Sequence, residues 1–347
     1  MSRHAVWPLA AALMASAMVA LPRAGRAQGL IVSGYGDIEF NVKNVGGDTP
    51  SETFFDNHHF NLIVLGNITD NVFASAEVEY EHAGDEVALE YGYVGYTGFK
   101  NVRIMGGKFL VPFGRFNKDL HPTWINKMVD RPNGFKNIMP VGYNDIGLWL
   151  SAGLPVGNSG TRVAIDGFIV NGLLGPDGGD IRGFRDNIDE SRTGVRDKNK
   201  AVGGRLGIEA APQGLDFGVS VYNGEYSDDD AVSLNLFMFG ADAAYRSKGF
   251  EARAEIVTAN QDATGGDLTK TGGYGQVAYL THLKFEPVVR FSFRDMPGDS
   301  EDQSRLSFGI NYYVGVSSVL RLDYHINYEK VDVPGNNAIA AQFAVGF

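Results

Sequence analysis

Apolar and polar residues alternate with a period of two along most of this chain. The stretch 338–347 shows the pattern cleanly. Ile339, Ala341, Phe343, Val345 and Phe347 share one face of an extended strand, and Ala338, Ala340, Gln342, Ala344 and Gly346 share the other. The same rule places Ile38, Phe40 and Val42 opposite Asp37, Glu39, Asn41 and Lys43. It sets Phe60 and Leu62 opposite His59 and Asn61 in a strand over 53–67. It sets Ala76, Val78 and Tyr80 opposite Glu77, Glu79 and Glu81. A helix would scatter those three glutamates, whereas a strand collects them on one face. A strand over 86–98 is expected to present Val87, Leu89, Tyr91 and Tyr93 together.

Continued to the end of the chain, the rule predicts about sixteen strands. Their connections alternate between tight turns, such as Ile68-Thr69-Asp70-Asn71 and Gly157-Asn158-Ser159-Gly160, and longer polar loops. A soluble sandwich has no reason to sort loop length by parity. A 16-stranded antiparallel transmembrane β-barrel does, with short periplasmic turns and long external loops. The expected fold is therefore an all-β, porin-like barrel with apolar side chains toward lipid and polar ones toward a lumen.

One segment breaks the rhythm. Residues 110–143 contain Pro112, Pro122, Pro132 and Pro140, a density that excludes a central strand. The segment also carries Arg115, Lys118, His121, Lys127, Arg131 and Lys136 against Asp119 and Asp130. It is net basic and is the best candidate to fold inward and constrict the lumen.

Arg3 and His4 precede an Ala-rich apolar run over 5–21, with small residues at Gly25 and Ala27. This predicts a signal peptide at 1–27 that is cleaved on export, and a barrel over 28–347. The expected location is the Gram-negative-type outer membrane, crossed many times. The chain has no Cys, so disulfides are not part of its stability. Its net charge of −11 argues against nucleic acid as a partner.

On the predicted lumen face, early strands supply Asp37, Glu39, Glu77, Glu79, Glu81, Glu86 and Glu90. Late strands supply Arg253, Arg290, Arg294, Arg305 and Arg321, the last with Asp323, His325 and Glu329. An acidic wall facing a basic one would bias ion passage. Such charges are also the ordinary lining of a water-filled barrel. Arg115, Lys118 and Arg131 are the constriction candidates of the loop.

The segment Gly107-Lys108-Phe109-Leu110-Val111-Pro112-Phe113-Gly114, with Arg131-Pro132 downstream, resembles a motif of the phosphate-selective porins O and P. Val170-Asn171-Gly172, and Asp197-Lys198-Asn199-Lys200 leading into Ala201 and Arg205, are similar to that family as well. The resemblance implies a homotrimeric channel of sixteen strands among outer-membrane lipids, in a family where some members prefer anions or phosphate. It also implies that Phe347 serves as a barrel-assembly signal. The family's clustered cations cannot be matched one by one onto this chain.

Other signals are weaker. Asp228-Asp229-Asp230 is a solvated loop tip or a hard-cation site. His58-His59 has no second pair at metal-ligand spacing, so no metal or cofactor is expected. No Gly-x-Ser-x-Gly elbow and no phosphate-binding Gly-Lys-Ser/Thr loop occurs. The expected function is passive passage of small hydrophilic solutes or inorganic anions, without catalysis. Two alternatives stay open: a hydrolase built on a barrel, and a structural or adhesive barrel with a plugged lumen.

Overall fold

A computed structural model describes residues 29–46, 50–120, 122–139, 142–173, 200–227, 232–298, 302–330 and 336–347. The predicted leader, His121, Asp197–Asn199 and the Asp228–Asp230 tip lie outside the described residues. The rest is one closed antiparallel sheet of seventeen segments. These are β1 (Leu30–Val45), β2 (Glu52–Asp56), β3 (His59–Asn67), β4 (Val72–Glu81), β5 (Glu86–Phe99), β6 (Val102–Leu110), β7 (Asn144–Val156), β8 (Thr161–Val170) and β9 (Ala201–Ala210). They continue as β10 (Leu215–Glu225), β11 (Asn235–Ser247), β12 (Phe250–Gln261), β13 (Leu268–Tyr279), β14 (Phe285–Asp295), β15 (Gln303–Tyr313), β16 (Ser318–Glu329) and β17 (Asn337–Gly346).

Segments β2 and β3 both pair with the same edge of β1, so they are two halves of one strand. The barrel therefore has sixteen strands. It closes where β17 pairs with β1, from Tyr35 opposite Gly346 to Val45 opposite Asn337. Among the described strands no edge is left for lipid, as a spanning sheet requires.

Alternation sets the two faces. Asp37, Glu39, Glu77, Glu79, Arg253, Arg290 and Arg321 are buried inside. Val219, Ile256, Phe291, Phe308 and Leu322 are exposed outside, the side that hydrocarbon covers. Beside the tight turns, outward aromatics gather in pairs: Tyr96 with Phe99, Tyr245 with Phe250, and Phe285 with Tyr312. Such a belt suits the boundary between lipid and water.

Two details depart from strict alternation. In β5 the tyrosines do not share the outward face of Val87 and Leu89. Val78 pairs with Leu89 but Glu77 pairs with Tyr91, so Glu90 is an extra residue, a β-bulge. The bulge turns Glu90 inward at 1% exposure and sends Tyr91 and Tyr93 to the lumen side opposite Glu77 and Ser75. Glu86 pairs with Glu81 at the rim and is exposed. The predicted strand over 53–67 is likewise interrupted, at residues 57–58.

Candidate functional site

The lumen is shaped by residues 111–143, which leave β6 and return to β7 through the barrel interior. The loop's two ends are tied together. The Val111 amide donates to the Tyr143 carbonyl at 2.9 Å. Asn117, fully buried, donates to the carbonyls of Val111 at 2.8 Å and Tyr143 at 3.0 Å, and accepts from the Tyr143 amide at 2.7 Å. A carboxamide suits this latch because it carries both donors and an acceptor.

From the latch the loop reaches β7, β8, β10, β12 to β16 and β1. Against β8, β10 and β12 the contacts are mixed. The Gly114 amide donates to Ser220 at 2.9 Å and the Phe116 amide to Glu255 at 2.9 Å. Lys118 meets Asp166 at 2.6 Å with its ammonium over the Trp149 ring, and Arg115 pairs with Asp216. Burial shifts the Arg115 guanidinium below its ordinary pKa, and Asp119 works against that shift. Phe116 and Phe135 pack edge-on against Tyr274, with ring centroids 6.0 and 5.6 Å away. Phe113, Ile138 and Met139 join the same buried cluster.

Against the opposite wall the contacts are ionic and hydrogen-bonded. Thr123 donates to Asp37 on β1 at 2.6 Å. Arg321 donates to the carbonyls of Thr123 at 2.9 Å and Trp124 at 3.1 Å. Lys127 pairs with Glu286. The Val129 amide donates to Asp323 at 2.7 Å. Arg290, with no exposed surface, donates to the carbonyls of Asp130 at 2.8 Å and Arg131 at 3.4 Å. Arg305 pairs with the Asp130 carboxylate at 2.8 Å, Arg294 reaches Asn133 at 3.2 Å, and Arg253 reaches Asn126 at 3.4 Å.

Each of the five predicted strand arginines thus binds the loop, and three of them, Arg253, Arg290 and Arg321, are almost wholly covered. Donation from a buried guanidinium to backbone carbonyls is strong and directional. Part of the acidic group, Glu77, Glu79 and Glu81, lies around Asn61 and His59, while Glu90 accepts from Asn144 at 2.9 Å. Asn61 donates to Glu77 at 2.7 Å and Glu79 at 3.4 Å, while Glu79 and Glu81 face His59. Phe347 stacks on Phe60 at 5.9 Å, and its backbone exchanges two hydrogen bonds with Gly34.

At Gly134 the loop backbone touches the wall. A Cβ there would lie 2.1 Å from the Gly273 carbonyl oxygen and 2.7 Å from that of Phe293. Neither backbone can yield without breaking sheet hydrogen bonds. Gly134→Val is therefore expected to lift this part of the loop, seen as faster protease cleavage within 111–143 while the barrel stays intact. Equal cleavage rates would place the loop elsewhere.

Below the loop, toward the tight turns of β5–β6 and β7–β8, lies a polar cavity of 430 Å³. Its charged lining is Arg103, Lys118, Arg162, Asp166 and Glu209, three cations against two carboxylates. Lys118 pairs with Asp166, and Arg162 with Glu209. Sequence reasoning missed Arg103 and Arg162 because neither stands in a run of like residues. It missed Asn117 because a lone Asn in a loop carries no distinguishing signal.

No protein-family profile matches the chain. An uncharacterized protein of Aquifex aeolicus is 26% identical over 239 residues, which cover 65% of this chain and 51% of that protein. The chain thus spans about half the length of that relative. Among solved structures, the anion-selective porin of Comamonas acidovorans superposes with a TM-score of 0.67 at 11% identity, over 92% of this chain and 99% of that one. OmpF of Salmonella typhi in complex with daunomycin gives 0.61 at 11% identity, over 92% and 97%. The trimer form of OmpT, an outer membrane protein of Vibrio cholerae, gives 0.61 at 9% identity, over 93% and 100%. What is shared is the fold: the closed sixteen-stranded antiparallel barrel of Gram-negative outer-membrane porins.

Proposed function

We propose that the protein is a passive outer-membrane channel for small hydrophilic solutes and ions, narrowed by its inward loop, with a mild preference for anions. The carrying observation is the closed barrel with an apolar exterior and a polar interior into which residues 111–143 fold. Passage through such a barrel needs no reaction. The assembly we propose is a homotrimer, in keeping with the trimer form in which a protein of this fold has been solved.

The anion preference rests on the cavity near the tight turns, where three cations face two carboxylates. An excess of one positive charge in a confined aqueous space attracts anions modestly. Selectivity for phosphate, known in the family this chain resembles, would demand more cations free of carboxylate partners. Arg115, Lys118, Lys127 and Arg305 each meet a carboxylate here.

Purified protein in planar bilayers tests the reading. Stable conductance steps are expected, with a reversal potential on the anion side in a potassium chloride gradient. Arg103→Glu is expected to move that potential toward cations. A silent barrel would overturn the channel. A cation-side potential in the parent protein would overturn the anion preference alone. Equal currents in phosphate and chloride, corrected for mobility, are expected from a site without a phosphate cradle.

A further inference from the structure

Beside the strand break at residues 57–58, three histidines and several carboxylates come together from β1, β3, β4 and the segments next to them. His59 lies at the centre with a side chain 1% exposed. Its Nδ1 is 3.2 Å from Asp37 Oδ2, which also accepts from Thr123 at 2.6 Å. An ionised carboxylate can only accept, so in the neutral imidazole Nδ1 carries the proton and Nε2 offers a bare lone pair. That Nε2 is buried and makes no hydrogen bond. It points between Glu79 Oε1, 3.8 Å away, and Glu81 Oε1, 3.7 Å away. Pairing puts His59 directly opposite Glu81 on the neighbouring strand, and alternation puts Glu79 on the same face as Glu81.

Three electron-pair donors thus converge on one point in a buried place. Asn61 also donates to the Glu79 oxygen, at 3.4 Å. A proton on Nε2 would sit too far from both oxygens for a hydrogen bond, which needs about 2.7–3.2 Å. A metal ion suits the gap. Nitrogen and oxygen ligands around a tetrahedral zinc ion stand about 3.3–3.6 Å apart, given bonds of about 2.0–2.2 Å. Small side-chain rotations would bring the three atoms to that spacing. A ligating imidazole whose other nitrogen donates to a carboxylate is the usual supporting arrangement at metal centres. Here Asp37 is that carboxylate.

We propose that His59, Glu79 and Glu81 bind one divalent transition-metal ion inside the barrel wall, with Asp37 as the positioning residue. Imidazole with carboxylates suits zinc and its first-row neighbours better than calcium, which prefers oxygen alone. Access runs past Glu81, whose side chain is 12% exposed while His59 and Glu79 are at 1% and 2%. His58 stacks on His59 at 4.1 Å and on His82 at 5.2 Å, and His82 meets Asp56 at 2.9 Å. This row of imidazoles extends the site toward the long-loop rim and offers an incoming ion further ligands. The proposal rests on these groups and does not depend on conduction.

The test uses the full barrel in detergent, stripped with a chelator and desalted, with Co²⁺ as the probe and Zn²⁺ as the competitor. Barrel integrity is read separately from heat-shifted migration in a gel. The expected result is one Co²⁺ per chain, with an absorption band of mixed nitrogen and oxygen ligation that Zn²⁺ abolishes. Glu79→Gln and Glu81→Gln each weaken binding, and His59→Gln removes it. Asp37→Asn leaves all three ligands in place but lowers affinity about 10–100-fold, the usual cost of losing such a partner. Three outcomes overturn the proposal: no Co²⁺ retained by the parent protein, binding unchanged when Glu79 and Glu81 are both replaced, or ¹⁵N resonances of His59 showing both nitrogens protonated in saturating Zn²⁺.

Discussion

Glutamate at both Arg290 and Arg305 is expected to free the middle of the inward loop and raise single-channel conductance several-fold. Arg290 donates to the backbone carbonyls of Asp130 and Arg131, and Arg305 holds the Asp130 carboxylate. After the exchange, two new carboxylates face one existing carboxylate and two carbonyls, with Asn126 still donating to the Asp130 carbonyl at 3.1 Å. Loss of the fully covered Arg290 costs most; the Asp130 carboxylate is 41% exposed, so its pair with Arg305 contributes less. The aromatic contacts of Phe116 and Phe135 with Tyr274 stay, so the loop is released over 123–131 rather than expelled. Reversal potential should also move toward cations, because two positive charges become negative. Lysine at both positions keeps the charge but loses the forked donation, so an intermediate conductance is expected. If the glutamate variant conducts like the parent, these arginines do not hold the loop.

One position away, the environment inverts. Phe291 is 47% exposed on the outer face of β14, whereas Arg290 is fully covered inside. Phe291→Arg is expected to destabilise the folded barrel in lipid vesicles by about 2–4 kcal/mol, the cost of a cation facing the bilayer near its midplane. The measurement is the shift in urea midpoint of refolding into vesicles. Lys248→Glu, in the tight turn after β11, serves as a control that should not move it. An unshifted midpoint for Phe291→Arg would mean that this face does not meet hydrocarbon.

Which residues look outward was legible because a strand has only two faces and a membrane barrel demands opposite solvents for them. The arginines at 253, 290, 294, 305 and 321 follow parity to the interior, as does Gln342 in the closing strand. Tyr91 and Tyr93 could not be placed this way, since one inserted residue at Glu90 reverses parity and nothing in Leu89-Glu90-Tyr91 announces it. The prolines of 110–143 marked a loop and its charge suggested an inward path. Its seat was illegible, because Asp130 meets Arg305 only through the curvature of the closed sheet. His59 was dismissed for the same reason. Its partners Asp37, Glu79 and Glu81 lie 22, 20 and 22 positions away and converge only once three strands are in register.

The docking of this loop constrains how the chain can mature. Lys118 must wait for Asp166, 48 positions later, and Thr123 for Arg321, 198 positions later. Until β13 has formed, Phe116 and Phe135 lack Tyr274 and face water, and until β14, β15 and β16 follow, the segment has no seat on that side. Contacts that bridge so much of the polypeptide form slowly and leave sticky surface uncovered meanwhile. Folding would therefore pass through a half-built species in which this segment is still unseated. The last seam, between β1 and β17, would seal only after the interior had been furnished.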